Sequence, residues 1–367
     1  MQSDFQIEKQ VQIERTPRVK QIEAVFDLQA SEVATFKIKG ELPSIDDAWN
    51  IGLIVGSSGS GKTTIAKEKY KDLVVDEYQW NNNKSIIDSF PKSVGIKEVG
   101  GILSSVGFSS PPSWLKPFSV LSNGEKFRTT MARAIIENKE LFVIDEFTSV
   151  VDRTVAKIGS SAIEKTIRRR NQKFIALSCH FDIVQWLRPD WIFNTDTQTL
   201  TKESLRPRPE VNLKIFRVHR KAWEIFRRYH YLNHDLNKSS KCFVAFWNKI
   251  PVAFTAVLSF PHPKRSGWRE HRTVCLPDYQ GVGIGNTISN YVASLFSASK
   301  PYRSTTSNPA MILTRAKSEK WKMTEAQTIA SPHTGSGVGF KQDHRPKSSF
   351  EYVGLRNFKD AKEFGLI

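Results

Sequence analysis

The sequence predicts two domains in succession, an α/β domain with a parallel sheet and then an α+β domain. Three observations predict them: a glycine-rich bend at residues 56–63, a second one at 281–285, and a change in charge near residue 210. Each bend follows an apolar run and precedes a run compatible with a helix, the order in which backbone N–H groups hold phosphate at a helix N-terminus. We expect domains at residues 1–205 and 206–367.

Composition sets the broad class of protein. A chain of 367 residues with 39% apolar and 25% charged residues has room for two ordinary cores. No run approaches the ~18 apolar residues of a membrane helix, and the first ten residues carry charges where a signal peptide is apolar. Three widely spaced cysteines suit a reducing compartment. We therefore expect a cytoplasmic protein without a membrane partner.

The net charge of +17 is uneven along the chain. Residues 1–210 carry +2, whereas residues 211–367 carry +15. Such asymmetry favours a polyanionic partner, nucleic acid above all. The alternative is a basic pocket for a phosphorylated cofactor together with ordinary surface lysines.

Hydrophobic periodicity predicts the elements around these bends. Alternation in residues 1–50 favours several short antiparallel strands, and the apolar runs at 141–144 and 174–177 favour buried parallel strands. Residues 195–209 predict a last hairpin and a linker. Further along, the predicted strands are 214–218, 242–247, 252–260 and 272–276, and the predicted helices are 221–228 and 285–296.

The first bend, GSSGSGKT at 56–63, matches the P-loop pattern G-x-x-x-x-G-K-S/T after the apolar strand 51–55. In such a loop the backbone amides hold the phosphates, Lys62 reaches the β and γ phosphates and Thr63 ligates Mg²⁺. A chance match of a glycine- and serine-rich loop is the alternative. The predicted phosphate-binding residues are Gly56, Ser57, Gly59, Ser60, Gly61, Lys62, Thr63 and Thr64.

Three further motifs accompany the P-loop. Asp145 and Glu146 end the strand 141–144, where Asp145 would hold Mg²⁺ through water and Glu146 would polarise the attacking water. Ser122 is a candidate N-cap for a helix at 126–137, with free N–H groups for a γ-phosphate. His180 follows the strand 174–177. Each has a structural alternative, since Ser122 could merely cap a helix and His180 could be a satisfied polar residue.

Taken in order, these motifs resemble the ABC ATPase family over roughly residues 20–200. The resemblance implies ATP as the nucleotide, a signature containing Ser122 and Gly124, a switch role for His180, and Gln79 as the glutamine that touches nucleotide and metal. Two departures stand out: Asn123 replaces a usual glycine, and no aromatic residue is clearly placed to stack on adenine, with Phe26 a weak candidate. In this family the signature of one subunit closes the P-loop of the next, which implies a head-to-tail homodimer on ATP.

The second bend lies in the run RTVCLPDYQGVGIG at 272–285. Its V-x-L-P followed by Q-x-x-G-x-G resembles motif A of the GNAT acyltransferases over about residues 212–356. The resemblance implies acetyl-CoA, with the pantetheine arm against Val274 and Leu276. It also implies contacts from Gln280, Gly281, Gly283, Gly285 and Asn308. The alternative is a glycine turn in a generic α/β sheet.

Acyl transfer from a thioester needs a base for the attacking amine. Glu270 and His271, just before the motif strand, are the candidates, and solvated loop charges are the alternative. The tyrosine that many GNAT enzymes carry as general acid is missing from residues 310–323.

A basic and aromatic cluster at 227–235 favours phosphate contact and base stacking. Its candidate nucleic-acid residues are Arg227, Arg228, His230 and Tyr231. The alternative is an aromatic helix end packed on the sheet. The His-Tyr pair also loosely resembles Mom-type phage enzymes, GNAT-fold proteins that modify DNA bases.

The whole motif order resembles a bacterial and phage fusion of an ABC ATPase with a GNAT domain. We therefore expect an ATPase coupled to an N-acyltransferase acting on nucleic acid or a nucleic-acid-bound acceptor. One alternative is a protein or small-molecule acetyltransferase regulated by ATP. Another is a non-catalytic GNAT fold that binds nucleic acid on an ATP-driven clamp.

Overall fold

The computed structural model describes residues 2–30, 32–75, 77–138, 140–203, 207–230, 234–261, 266–328 and 347–367. The chain divides into two compact units. Unit 1 comprises Met1–Glu77, Asn138–Val150 and Ile167–Arg208, and unit 2 comprises Tyr78–Glu137, Val151–Thr166 and Pro209–Ile367. The last change of unit lies near the boundary expected at 205/206, which stays a prediction.

The strands are β1 (Gln2–Gln12), β2 (Val33–Pro43), β3 (Ile51–Val55), β4 (Leu141–Ile144), β5 (Lys173–Ser178), β6 (Trp191–Asn194), β7 (Thr199–Lys202), β8 (Lys214–Val218), β9 (Lys241–Trp247), β10 (Ile250–Phe260), β11 (Gly267–Cys275), β12 (Tyr302–Thr306), β13 (Trp321–Thr328) and β14 (Lys347–Tyr352). The helices are α1 (Pro17–Phe26), α2 (Lys62–Tyr70), α3 (Ile96–Ser105), α4 (Pro111–Trp114), α5 (Asn123–Glu137), α6 (Arg153–Arg170), α7 (Val184–Leu187), α8 (Trp223–Phe226), α9 (Ile284–Phe296), α10 (Pro309–Ala316) and α11 (Phe358–Glu363).

The main sheet of unit 1 has the described order β4-β5-β3-β6-β7. The first four of these strands are parallel, and β7 returns antiparallel to β6. Every residue of β3 is buried, as expected of a strand covered on both faces. The carboxyl ends of β3, β4 and β5 therefore meet at one edge of the sheet, where the predicted ATPase residues follow them.

The first fifty residues differ from the short strands predicted there. They form two eleven-residue strands, β1 and β2, paired antiparallel from end to end, with α1 between them. The helix forms because Thr16 accepts from the amide of Val19 as an N-cap and Pro17 occupies the first helical position. The alternation of apolar residues at 24–28 favoured a strand, but the Thr16 cap and Pro17 start a helix that runs to Phe26.

Unit 2 is built on a sheet of described order β13-β14-β12-β11-β10-β9-β8. Its β9–β10 hairpin turns at Asn248 and Lys249, whose φ values of 48° and 68° suit a two-residue turn of the mirror-image type. The hairpin is the one predicted from sequence. Two apolar clusters cover the faces of the sheet, one including α9 and the other including α8.

Strands β11 and β12 open away from each other beside α9. In the described chain their parallel pairing is confined to Trp268↔Tyr302 and Arg269↔Arg303. On its other side β11 pairs antiparallel with β10 along its length. The residues 270–275 therefore lead from the paired start of the strand to the N-terminus of α9 with one backbone edge turned toward the gap.

Two other expectations concern helices. The segment predicted as a helix at 221–228 forms only the single turn α8 flanked by 3-10 turns. Among the described residues, no helix combines the length and apolar character that a membrane crossing requires.

Candidate functional site

The P-loop curls around its own lysine. Gly59 and Gly61 have φ values of 79° and 93°, which a residue with a side chain rarely adopts. The Lys62 ammonium donates to the carbonyl oxygens of Gly56 at 2.9 Å and Ser57 at 2.7 Å. This geometry keeps the cation inside the bend, at the N-terminus of α2, where backbone N–H groups favour anions.

The β6–β7 turn supports the start of this loop. Asp196 accepts from the Ser57 amide and hydroxyl, the latter at 2.6 Å, and these bonds lower the pKa of the Asp196 carboxyl. Thr195 and Ser60 share a hydroxyl–hydroxyl bond of 2.5 Å. Neither turn residue was singled out in the sequence, because no local pattern links 195–196 to a loop 135 positions earlier.

The oxygens of Thr63 and Asp145 meet at the end of the sheet. The Thr63 hydroxyl donates to Oδ2 of Asp145 at 2.7 Å. A hydroxyl and a carboxylate side by side are the oxygen ligands that Mg²⁺ takes from such proteins, with phosphate and water supplying the rest. In the described part of the chain no cluster of three or more His, Cys, Asp or Glu forms a metal site. The two groups therefore fit a metal held jointly with a nucleotide.

Glu146 is exposed beside this pair. Its amide donates to Oδ1 of Asp145 at 2.8 Å, and its φ of 49° is left-handed. A non-glycine residue in this region is held there by its surroundings, and such conformations concentrate at functional sites. The Glu146 side chain is thus exposed at the end of the buried strand.

His180 follows β5 and is half-buried, with its amide donating to the Ser178 hydroxyl at 3.1 Å. Because β4 and β5 are parallel neighbours, His180 and Glu146 leave the sheet at the same edge. Both predicted positions are therefore compatible with action on a nucleotide held by the P-loop.

Phe36 is an aromatic residue that the sequence did not single out. It lies half-buried on β2, and a Cβ placed on Gly61 would come within 2.2 Å of its ring. Phe26, the weak candidate for adenine stacking, is 65% exposed on α1. In the sequence, Phe36 is one aromatic residue on the strand before the P-loop strand. Its packing against Gly61 is visible only in the folded structure.

Ser122 caps α5 through a reciprocal pair of hydrogen bonds. Its hydroxyl accepts from the Glu125 amide at 3.3 Å, and its own amide donates to the Glu125 carboxylate at 3.0 Å. This is a capping box, which satisfies two of the free amides of the first turn. The predicted N-cap is present, and Gly124 lies in the same turn, with its Cβ position 3.2 Å from Val155.

Gln79 is exposed between two aromatic residues that are held on α5. The Arg133 guanidinium lies 4.2 Å from the ring centre of Tyr78 and 5.0 Å from that of Trp80. Trp80 stacks on Phe118 at 4.2 Å. These cation–π and stacking contacts tie the segment around Gln79 to the helix that Ser122 begins.

The bend at 281–285 has two different halves. Gly281 and Gly283 have φ values of 95° and 97°, and Gly283 precedes α9. A Cβ on Gly283 would meet nothing within 4 Å, whereas one on Gly281 would lie 2.7 Å from Ala162. Gly283 thus leaves open space at the N-terminus of α9, a Cβ on Gly285 would contact the Cβ of Cys275 at 3.6 Å, and Gly281 is used for packing.

Gln280 is likewise engaged within the protein. Its side chain accepts from the Ser109 amide at 2.9 Å and donates to the Cys275 carbonyl at 3.0 Å. Leu276 donates its amide to the Val252 carbonyl, and Val274 is 5% exposed. The predicted acetyl-CoA residues 274, 276, 280 and 281 are therefore largely occupied by internal contacts, in contrast to Gly283.

Asn308 caps α10, since its side-chain oxygen accepts from the Met311 amide at 3.1 Å. That bond satisfies a helix amide. Asn308 therefore has a structural role at the start of α10.

Glu270 lies inside unit 2 and does not face solvent. Its Oε1 accepts from Ser289 at 2.8 Å and from Thr273 at 2.5 Å. Its Oε2 accepts from Ser304 at 2.5 Å and from the Arg315 guanidinium at 2.7 Å. Four donors fill the acceptor sites of the carboxylate. The expectation of Glu270 as a base disagrees with this placement, because no oxygen remains open to a substrate proton.

The charge state of Glu270 follows from its partners. Burial acts to raise the pKa of this carboxyl, but Arg315 and the Ser304 and Thr273 hydroxyls outweigh burial and hold the pKa below its ordinary value. A buried ion pair of this kind specifies packing, with side chains 2% and 5% exposed. No local sequence pattern links Glu270 to these distant partners.

His271 is more accessible than Glu270. Its Nε2 accepts from the Asn237 amide at 3.5 Å, a long contact, and Arg272 lies 3.4 Å from its Nδ1. Burial, then Arg272 and Arg269, lower the pKa of His271 to about 4. The imidazole is thus neutral near pH 7, with a proton affinity below that of an ordinary histidine.

The predicted nucleic-acid cluster separates into surface and core. Arg227 and Arg228 are exposed, with Arg228 lying 4.6 Å from the ring centre of Tyr229. His230 is 6% exposed and packs edge-on against Trp223 at 5.7 Å. The prediction that His230 contacts nucleic acid disagrees with this burial, since the side chain packs in the core under α8. Tyr231 lies outside the described residues.

Comparison with known proteins relates part of the chain to ABC proteins. No protein-family model matches. An ABC transporter of Fusarium pseudograminearum is 43% identical over 56 residues, 15% of this chain and 4% of that protein. The ABC multidrug transporter MDR5 of Trichophyton rubrum is 31% identical over 110 residues, 30% of this chain and 7% of that protein. The chain is similar to ABC ATPase cassettes and spans less than a tenth of these two relatives' length.

Solved structures give a weaker likeness. A bacterial Atm1-family ABC exporter with ATP bound is 19% identical over 45% of this chain and 34% of its own, with a TM-score of 0.35. The dimeric cassette MJ0796 is 14% identical over 43% of this chain and 87% of its own, with a TM-score of 0.35. The dimeric structure of MJ0796 in a post-hydrolysis state, bound to ADP and Pi, is 14% identical over 49% of this chain and 95% of its own, with a TM-score of 0.37.

Proposed function

We propose that this chain hydrolyses ATP with Mg²⁺ and that its C-terminal part transfers an acyl group from a coenzyme A thioester such as acetyl-CoA. The observation that supports the first activity is the bond between Thr63 and Asp145 at the mouth of a P-loop that encloses Lys62. Sequence similarity to ABC ATPase cassettes agrees with it.

In this proposal each group at the sheet edge has one task. The amides of 59–64 and Lys62 bind the phosphates, and Thr63 and Asp145 hold Mg²⁺. Mg²⁺ offsets charge on the phosphate oxygens. Glu146 orients the attacking water, His180 contacts the γ-phosphate, and Phe36 stacks on the base. Ser122 and Gly124 of a second copy complete the site, which makes the active form a head-to-tail homodimer.

Nucleotide titration by calorimetry and a steady-state phosphate-release assay test the ATPase on the full chain. ATP should bind with Mg²⁺. The phosphate-release rate per protein molecule should rise with protein concentration, because two copies form each site. Turnover independent of protein concentration, with no dimer on ATP, would refute the shared site.

The acyltransferase proposal is supported by the gap between β11 and β12 beside α9. The pairing of these strands ends at Arg269↔Arg303, and Gly283, whose Cβ position is open, precedes the first residue of α9. Amides at a helix N-terminus favour a diphosphate. His271, on the strand that borders the gap, is the candidate base for the attacking amine. Burial, Arg272 and Arg269 lower the pKa of its imidazole to about 4, which keeps it neutral near pH 7 and makes it a weaker base than an ordinary histidine.

Calorimetry with acetyl-CoA and with dephospho-CoA tests this second activity. Binding that is lost in Gly283→Val and kept in the exposed control Glu319→Gln supports the site, because a branched side chain at φ 97° both strains and fills the cradle. No heat with either ligand would exclude coenzyme A and leave the GNAT-like unit as a binding module.

Nucleic acid is the second binding partner that we propose, because the acyl acceptor would be nucleic acid itself or a molecule bound to it. The specific support is the +15 charge of residues 211–367 together with the exposed Arg227 and Arg228. Electrophoretic shifts on the full chain should show binding that weakens steeply with salt, and Arg227→Gln with Arg228→Gln should reduce the salt slope by about one to two. Salt-insensitive or absent binding would favour a protein or small-molecule acceptor.

A further inference from the structure

The β11–α9 loop, residues 276–283, packs on helical segments of the same unit. These segments are the end of α3 with residues 107–109, the first half of α5 and the part of α6 before residue 167. We call this contact the seam. Its residues are Gly107, Ser109, Arg128 and Ala162 on the helical side and Asp278, Gln280 and Gly281 on the loop side.

Two glycines allow the close approach. Gly107 has a φ of 90°, and a Cβ there would lie 2.8 Å from the Gln280 carbonyl oxygen. A Cβ on Gly281 would lie 3.0 Å from the Gly107 Cα. Together with the bond from the Ser109 amide to Gln280, these contacts tie the shape of the loop to the helical side.

Arg128 is the charged member of the seam. It is 1% exposed, its Nη2 lies 3.5 Å from the Asp278 carbonyl oxygen, and its Nε has no hydrogen-bond partner in the described structure. A buried guanidinium normally fills its five donors. This one is under-bonded, and a small movement would let it take other partners.

Glu125 provides such a partner on the same helix. It lies three residues before Arg128, and its charge acts on the guanidinium. In the structure its carboxylate is engaged with the Ser122 amide. In the proposed function a γ-phosphate reaches that amide, and a phosphate and a carboxylate repel each other there. The displaced Glu125 can then pair with Arg128 at the i, i+3 spacing.

We infer that the seam couples the two activities: ATP at the signature of α5 draws Arg128 from Asp278 to Glu125 and loosens the loop that holds the acyl-CoA diphosphate. The charge of Asp152, just before α6, also acts on Tyr279 of this loop. The inference rests on the proposed function of both sites. Two ligand sites, and an Arg128 side chain with two alternative partners that each ligand biases, are what coupling requires.

Hydrogen exchange of the full chain carrying Glu146→Gln, with and without ATP and Mg²⁺, tests the loop directly. Amides of 276–286 should exchange faster with ATP, and acetyl-CoA affinity by calorimetry should fall at least about fivefold. Arg128→Met in the same background should abolish both responses, because Met fills much of the volume without the charge. The exposed control Arg169→Gln should keep both.

Unchanged or slower exchange at 276–286 on ATP would overturn the inference, as would a response that survives in Arg128→Met. If Arg128→Met does not fold, Arg128→Lys serves, since an ammonium lacks the reach and fork of the guanidinium and should also lose the response. Absence of acetyl-CoA binding in every variant would refute the acyl-CoA proposal alone, and the exchange result would still decide whether ATP controls the loop.

Discussion

The Thr63 hydroxyl donates a 2.7 Å hydrogen bond to the Asp145 carboxylate, although 82 positions separate them in the chain. The bond exists because β3 and β4 lie on either side of β5 in a parallel sheet, so the residues that follow them meet at one edge. The two oxygens are held together by protein geometry, ready to share a metal with the phosphates that Lys62 would bind.

Replacement of Lys62 by Ala should abolish nucleotide binding. The lysine is the cation inside the loop, and without it the phosphates would meet amides alone. Calorimetric titration with ATP and Mg²⁺ measures the effect. Lys67→Ala, on the exposed side of α2, is the matched control and should bind as the unaltered chain does. Equal affinity in the Lys62 variant would contradict the phosphate-binding role.

Glu146→Gln should bind ATP, fail to hydrolyse it and accumulate as a dimer. The amide keeps the shape of the side chain but cannot polarise water, so the closed state persists. Size-exclusion chromatography with light scattering in ATP and Mg²⁺ reports the mass. Glu140→Gln, exposed before β4, should behave as the unaltered protein. A variant that stays monomeric with bound ATP would count against a shared site.

Glu270→Gln should destabilise unit 2 by about 3–5 kcal/mol at pH 7, because it leaves the Arg315 guanidinium buried without its counter-charge. Urea unfolding followed by circular dichroism measures the change, with exposed Glu319→Gln as control. A loss below about 1 kcal/mol would mean that the pair is not a structural ion pair.

The same pair predicts a pH dependence. The folded-state pKa of Glu270 lies below 4.5, so its stabilisation is present above that value and is lost as the pH falls through the lower folded-state pKa. The stability difference between the unaltered chain and Glu270→Gln should therefore shrink on acidification below pH 4.5.

His271 should titrate with a midpoint near 4, well below an ordinary histidine, because burial and two arginines disfavour its cation. Nuclear magnetic resonance of histidine-labelled full chain gives the midpoint, with His271→Gln assigning the signal. With this pKa, His271 stays neutral between pH 6 and 8, so its titration should not change the rate of acyl transfer in that range. A midpoint near 6.5 would mean that burial and the two arginines do not lower the pKa of His271.

Local patterns predicted a large part of the fold. The strand 51–55 and its glycine bend, the buried runs at 141–144 and 174–177, and the hairpin across 248–249 are all present. These features depend on neighbouring residues, because glycine, turn and alternation preferences act over a few positions. Capping by Thr16 and Pro17 is local too, yet it was missed at α1, since an amphipathic alternation nearby favoured a strand.

By itself, then, the sequence determined where the phosphate-holding bends and most buried strands lie, since backbone conformation follows from adjacent side chains. Only the tertiary structure decided which of these side chains are buried and which partners they contact. It buried Glu270 against Arg315, set Phe36 on Gly61 and joined Gln280 to Ser109, 171 positions earlier. Such contacts arise from packing between distant segments, and packing is a property of the assembled sheet and helices that no local pattern encodes.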